Sequence, residues 1–426
     1  MSRPADVVRA GSPGPGYRRA LADPRPRAGV GMLGYGFMGK AHSNALRTMT
    51  YIDWPGVMRP ELVAIAGRTN ERVADAAVRY GFDGYYTDWH GLVEDERLSV
   101  FDNAAADEAH VQPTLAFIAA GKHVVCEKPL ARSAADASAM WKAAEKAGVK
   151  HLCCYNYRFV PAVQLARNML RGGGLGEVYE ARFRYSQSWS PISPDGSLVT
   201  IGCHAIDQAR FLVGEIASVS ALFSDPVSKG ADKADPETPA PGDVTNALVR
   251  FANGAQGTID ASLCSRTRRN MLAWEINCER GTLVWDLERL NELKVSATNC
   301  SGASLDGLAD VIVCEPGHPF VDLWWPAGHL LGWEHAHTNM FIHFFRCLGQ
   351  DRSVGPEGAT FEDGYRVALI SEAMLASATS GRRIEVDPTH TSSVEPAVKA
   401  ILKLSLRPGL PPASRTLGYA ACSCWR

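Results

Sequence analysis

From residue 29 to residue 155, short apolar runs alternate with amphipathic stretches that close on glycine. This rhythm constrains the fold more than any other feature of the chain. The runs at 29–33, 62–66, 98–103, 123–126 and 151–155 read as buried strands. Between them, 38–46, 71–80, 110–120 and 133–147 carry helical spacing. Gly81, Gly121 and Gly148 stop three of these helices, because the residue past a helix end often takes left-handed backbone that glycine adopts at little cost. Ser133 supplies the N-cap of the last. Strand and helix in alternation bury their apolar faces as a parallel sheet covered on both sides, so this half is read as α/β and doubly wound.

After residue 155 the rhythm changes. A helix at 162–170 leads into strand-like segments at 178–185, 219–223, 246–251, 255–262, 271–277 and 282–286, several with alternating apolar and polar residues. Helices are expected at 341–348 and 364–379, giving an α+β unit with an open, mostly antiparallel sheet. The Pro-, Gly- and Arg-rich start and the patternless end are expected to be disordered, and 225–243 to be a surface loop. At roughly 100–200 residues per domain, the expected layout is an extension at 1–27, a nucleotide-binding domain at 28–154, a substrate-binding and oligomerisation domain at 155–387 and a tail at 388–426.

The first strand runs into Gly34-Tyr35-Gly36-Phe37-Met38-Gly39, which then opens a helix. GxGxxG is weak alone, but in this context it marks a dinucleotide-binding turn of Rossmann type. Gly34 serves the tight turn, Gly36 lets backbone approach a pyrophosphate, and Gly39 lets helix pack on strand. Phe37 and Met38 belong to the helix start, whose N–H groups and partial positive charge attract phosphate. The acidic residue that would bind a ribose 2′-hydroxyl at the end of the second strand is missing, and Gly67-Arg68 stands there. Arg68 leans the coenzyme from NAD toward NADP by offering a 2′-phosphate a cation, although it could equally stack on adenine.

Several classes are set aside. A formal net charge of −2 gives no basic stripe for nucleic acid. No apolar run is long enough to span a membrane, and the arginine-containing start lacks a secretory apolar core. Eleven cysteines, an odd number without a CxxC pair, read as thiols in a reducing cytoplasm rather than as disulfides or a metal site.

Three further motifs carry a resemblance. Ala120-Gly121-Lys122-His123-Val124-Val125-Cys126-Glu127-Lys128-Pro129-Leu130, Tyr155-Asn156-Tyr157-Arg158-Phe159-Val160-Pro161 and Gly202-Cys203-His204-Ala205-Ile206-Asp207 follow the glycine turn in order. With it they make the chain resemble the glucose–fructose oxidoreductase/inositol dehydrogenase/MocA family over about residues 28–386. The stretch from Trp324-Trp325-Pro326 to Gly332-Trp333-Glu334-His335 resembles levoglucosan dehydrogenase-like members, although a packed hydrophobic loop would explain it as well.

The resemblance implies an NAD(P)-dependent dehydrogenase or reductase acting on a secondary alcohol of a sugar, anhydrosugar, glycoside or inositol. It implies a homodimer or homotetramer. It places Glu127 and Lys128 at the coenzyme, with Lys128 also stabilising the reacting oxygen and His204 moving its proton. Arg158, Thr200, Asp207 and His335 are implied at the substrate. Two departures stand out. The family commonly has a carboxylate four residues before the histidine, where this chain has Thr200, and a Thr-Pro-Asn type turn where it has Ala104-Ala105-Ala106. Two alternatives stay open: a catalytically weakened dinucleotide/sugar-binding sensor of the same fold, which Thr200 favours, and a redox-assisted glycoside-cleaving enzyme that retains its coenzyme.

Overall fold

The computed structural model describes residues 22–188, 195–226, 242–297 and 307–387. The expected tail, residues 1–21 of the expected extension and most of the expected 225–243 loop lie outside them. The end of that extension is ordered, contrary to expectation. Arg25 is buried, pairs with Asp23 and donates to the backbone carbonyls of Thr50 and Asp53.

Strands β1 (Arg27–Leu33), β2 (Arg59–Ala66), β3 (Gly84–Tyr86), β4 (Val100–Asn103), β5 (His123–Cys126) and β6 (His151–Cys153) form one sheet in the order β3-β2-β1-β4-β5-β6. Every pairing in it is parallel. Helices α1 (Phe37–Ile52), α2 (Asn70–Tyr80), α3 (Trp89–Glu94), α4 (Val111–Ala119) and α5 (Ala134–Ala147) make the crossovers. Successive side chains of a strand point to opposite faces, so Val124 enters one hydrophobic core and Val125 the other. The order reverses between β1 and β4, and ligands of such sheets bind at the carboxyl ends of the strands beside that switch.

The rest of the described chain comprises α6 (Pro161–Arg171), β7 (Val178–Gln187), α7 (Cys203–Leu212), β8 (Ile216–Ser224), β9 (Val244–Phe251), β10 (Gln256–Ser262), β11 (Asn270–Cys278), β12 (Gly281–Asp286), β13 (Glu292–Ala297), β14 (Ala309–Ile312), α8 (Trp333–Gly349), α9 (Phe361–Ser380) and β15 (Ile384–Glu385). Its sheet has nine strands in the order β14-β13-β12-β11-β7-β10-β9-β8-β15. Only β7 and β10 pair in parallel, so the expected mostly antiparallel sheet is present. Along β9, Thr245, Ala247, Val249 and Phe251 are buried while Asn246, Leu248 and Arg250 are exposed, which is the alternation of a half-buried strand.

Helix α8 joins the two halves. It packs on α1, and its Met340, Phe341, Phe344 and Phe345 enter a core of the first sheet. It begins at Trp333, eight residues before the expected start. The aromatic and histidine residues of its first turns obscure helical periodicity in the sequence.

Candidate functional site

The glycine turn follows β1 at the switch point. Gly34 has φ +100°, and a Cβ there would lie 2.6 Å from the carbonyl oxygen of Ala104. A Cβ on Gly39 would lie 2.3 Å from the Gly34 carbonyl oxygen. Both positions therefore need glycine, one for backbone conformation and one for close packing. A Cβ on Gly36 would meet nothing within 4 Å, and no side chain caps α1 there. The first-turn N–H groups of α1, at Phe37, Met38 and Gly39, have no intrahelical acceptor and no side-chain cap among the described residues. That is what a pyrophosphate requires.

A Cβ on Gly67 would fall 2.1 Å from the Tyr35 ring, whose backbone carbonyl accepts the Tyr80 hydroxyl at 3.0 Å. An acidic side chain at 67 would have to displace that ring. Arg68, next along, is exposed and has no ion-pair partner among the described residues.

Buried charge gathers where β4 and β5 end. His42, on α1, meets Asp102 through Nδ1 at 2.9 Å and Glu127 through Nε2 at 3.0 Å, and all three side chains are buried. Burial alone would lower the imidazole pKa, but the two carboxylates outweigh it and lift it to about 10. Burial would likewise raise the Glu127 carboxyl, but the hydrogen bond and charge of His42 hold it at about 2. The cluster is carboxylate–imidazolium–carboxylate, with a net negative charge. Its other oxygen, Glu127 Oε2, accepts the Lys128 backbone N–H at 2.9 Å.

The Glu127 side chain therefore turns inward, with both oxygens engaged by His42 and the Lys128 N–H. A carboxylate beside an imidazolium is more stable there than one facing a pyrophosphate. His42 and Asp102 went unread in the sequence, although His42 follows Gly39 by three residues on the same helix. Cys154 places its sulfur within 4.8 Å of the ligand atoms of His42 and Glu127, but both nitrogens of that imidazole are already taken by carboxylates.

Lys128 extends from this cluster toward the second half of the chain. Its Nζ donates to the backbone carbonyl of Thr200 at 3.0 Å, its one hydrogen bond to a described residue. The Thr200 side chain makes no such contact. Position 200 holds the lysine through a carbonyl that any residue would carry. Burial works against the ammonium, but neighbouring Cys203, Glu127 and Asp107 more than offset it and hold its pKa above the ordinary lysine value.

Thr200 lies in a π-helical turn, Leu198–Gly202, that runs directly into α7 and sets His204 one turn later. The His204 ring is buried in an aromatic box, with edge contacts to Tyr155, Tyr157 and Tyr185 at 5.8, 4.8 and 5.8 Å between centroids. Burial and the Lys128 charge push its pKa well below the ordinary value, so the imidazole is neutral. Neither ring nitrogen has a hydrogen-bond partner among the described residues. An ammonium that keeps its charge and an imidazole that carries none thus share one place. The first can stabilise a developing alkoxide, and the second can take a proton.

Two other expected substrate residues are committed elsewhere. Arg158 (2 % exposed) forks onto Asp207 (1 % exposed), with Nε 3.1 and 3.0 Å from its two oxygens. It also reaches Asp363 at 3.1 Å. This buried ion network ties α7 to α9, and the partners satisfied within it turn away from a ligand. His335 is in α8, where Nδ1 accepts the Gly332 N–H at 3.0 Å and caps the helix, and its ring meets Trp324 edge-on at 4.3 Å. Its Nδ1 thus serves as helix cap, because the orphan N–H of Gly332 needs an acceptor. Trp333 was read in that segment without a specific role. It stacks on Phe37 at 5.4 Å and 16° between planes, bringing the first turn of α8 to the glycine turn.

No helix of the described residues is long and apolar enough to cross a membrane. Eight described cysteines are free thiols.

Residues 28–155 match the profile of an oxidoreductase family with an NAD-binding Rossmann fold, and residues 163–284 match the GFO/IDH/MocA C-terminal domain. Levoglucosan dehydrogenase of Pseudarthrobacter phenanthrenivorans is 35% identical over 385 residues, covering 84% of this chain and 97% of that enzyme. D-apiose dehydrogenase of Paraburkholderia graminis is 26% identical over 385 residues, covering 86% and 94%. A solved complex of levoglucosan dehydrogenase with NADH and levoglucosan aligns with a TM-score of 0.78 at 33% identity, covering 85% of this chain and 100% of that one.

Proposed function

Because the chain belongs to the GFO/IDH/MocA oxidoreductase family, we propose that it is an NAD(P)-dependent dehydrogenase acting on a secondary alcohol of a sugar, anhydrosugar, glycoside or inositol. The observation that carries this reading is the charged Lys128 beside the neutral His204, next to an open glycine turn. A bound nicotinamide supplies the hydride chemistry. Lys128 donates to the alcohol oxygen and stabilises negative charge as it develops there. A free ring nitrogen of His204 takes the hydroxyl proton as the carbon gives up hydride, and returns it in the reverse direction.

Gly34, Gly36, Phe37, Met38 and Gly39 hold the pyrophosphate end of the coenzyme. Arg68, unpaired and next to a position closed to acidic side chains, favours NADP over NAD. Trp333 offers an indole near the coenzyme turn on which the apolar face of a sugar can stack. Levoglucosan and other anhydrosugars head the candidate substrates, given the levoglucosan dehydrogenase likeness. Leu222 and Leu248, exposed on one face of the nine-stranded sheet, favour a second copy of the chain covering it as a homodimer or homotetramer. Free thiols fit a reducing cytoplasm.

The test is NAD(P)H absorbance with each oxidised coenzyme against levoglucosan, glucosides, free aldoses and inositols. Turnover that disappears in Lys128→Ala is expected. Coenzyme binding with no turnover of any member of the panel would overturn the reading.

A further inference from the structure

The family position four residues before His204 holds no carboxylate here, and Thr200 gives Lys128 only a backbone carbonyl. A negative charge is nonetheless close to both reacting side chains. It comes from the other sheet, at the end of β5.

We propose that Glu127 is a positioning residue that serves Lys128: clamped by His42, it holds the Lys128 backbone through one oxygen and keeps its negative charge on the ammonium's side of the turn. Three observations carry this. Glu127 spends its two oxygens on two partners, His42 Nε2 at 3.0 Å and the Lys128 N–H at 2.9 Å, so it cannot swing without breaking both. His42 is fixed in turn by Asp102 at 2.9 and 3.1 Å, which sets the ring orientation. Glu127 also acts electrostatically on both Lys128 and His204, whereas Asp107 acts on Lys128 and Cys203.

His42 lies on α1, whose first turn faces the pyrophosphate site, and its ring packs edge-on against Phe341 of α8 at 5.1 Å. One residue thus ties the coenzyme helix, the lysine turn and α8 to a common geometry. The inference rests on the reading of Lys128 as the group at the reacting oxygen.

The titratable groups facing Lys128 are Glu127 on its own turn, Asp107 after β4, Tyr157 after β6, and Cys203 and His204 from α7; Glu127 in turn faces His42 from α1 and His337 from α8, and His42 faces Asp102 from β4. Of these, Glu127 is changed by the isosteric Glu127→Gln. That variant keeps an acceptor for the Lys128 N–H and removes the charge.

The experiment follows the Lys128 ammonium itself by NMR on enzyme labelled with 13C,15N-lysine, its signal assigned by its loss in Lys128→Arg, alongside the pH profile of kcat. In the native enzyme Lys128 should titrate above the ordinary lysine value. In Glu127→Gln its titration should fall by about one to two units, the shift expected when an opposite charge within a few ångströms is removed. The kcat of the variant should then fall more at pH 9 than at pH 7, by up to about fourfold, with coenzyme Kd unchanged.

An unmoved Lys128 titration with kcat lowered equally at every pH would reduce Glu127 to a structural residue and overturn the proposal. A Lys128 titration that moves while kcat does not would support the positioning and instead overturn Lys128 as the group at the reacting oxygen. Should Glu127→Gln fail to fold, the native titration still decides: a value below the ordinary lysine pKa would overturn the proposal.

Discussion

Arg158 and Lys128 are both cations drawn away from water, and the structure treats them in opposite ways. Arg158 is closed off. Asp207 takes its fork, Asp363 takes a further contact, and Arg210 shares that same Asp363 oxygen while pairing with Glu215. Lys128 is held from behind by Glu127 and to one side by a carbonyl, and its remaining donors meet no described residue. His204 has no hydrogen-bond partner at all among those residues. A network that fixes a fold satisfies every end, because an unpaired buried charge is expensive. A site that receives a ligand leaves chosen ends unsatisfied so that the ligand can supply them.

This contrast can be broken at either end. The largest effect is expected from Arg158→Ala, which strands Asp207 in the core. It should destabilise the fold by about 3–5 kcal/mol, read as a lower urea midpoint, while the surviving folded fraction keeps its coenzyme affinity. An unchanged midpoint would mean the Arg158 network is not structural.

Lys128→Ala should do the reverse. Stability should stay near that of the native chain while kcat falls about 10²–10³-fold, the usual cost of losing a preorganised donor to a developing oxyanion. A comparable loss of stability with little change in kcat would erase the distinction between the two cations.

Arg68→Ala, at an exposed position, should leave stability and NAD kinetics alone and weaken NADP binding by roughly ten- to a hundredfold, the range for a charge-assisted contact of about 1.5–3 kcal/mol. Equal loss for both coenzymes would point to adenine stacking.

The smallest effect is in the pH dependence of Tm. His42, raised from 6.5 to about 10, contributes stability that is full below 6.5 and is lost as pH rises toward 10. His337, beside it, is lowered by burial to about 3 and must stay neutral, so its contribution is full above 6.5 and is lost as pH falls toward 3. In the Arg158 network, burial outweighs Arg158 and raises the Asp207 carboxyl above the ordinary value. Arg158 and Arg210 outweigh burial and hold Asp363 well below the usual carboxylate range. Tm should therefore peak near pH 6.5, and His337→Gln should lessen the acid limb and leave the alkaline limb unchanged, His204 keeping the rest of the acid limb. An acid limb that persists undiminished in His337→Gln would assign it to other groups.

Five of the six strands of the first sheet were legible because they carry apolar runs and several of the helices between them stop on glycine, whereas the three-residue β3 and the short α3 went unread. Gly81 and Gly148 sit in left-handed backbone at helix ends, as their positions required. The coenzyme turn was equally legible, since Gly34 and Gly39 answer to backbone geometry within one strand–turn–helix unit. The start of helix α8 was not legible because Trp333 stacks on Phe37, His335 caps the helix and His337 packs on Trp333, so aromatic and histidine residues stand where an apolar period would show.

The sequence by itself determined the alternation of strands and helices, the glycine turn, and the presence of Lys128 and His204 within motifs. These depend on contacts between near neighbours in the chain. Only the tertiary structure decided what the charged residues do. Arg158 and Glu127 look alike as motif residues, but one closes onto Asp207, 49 residues away, and the other onto His42, 85 residues away. Whether a buried charge locks the fold or serves the site depends on which partner folding brings to it, because charge partners are set by distance in space and no local pattern encodes that distance.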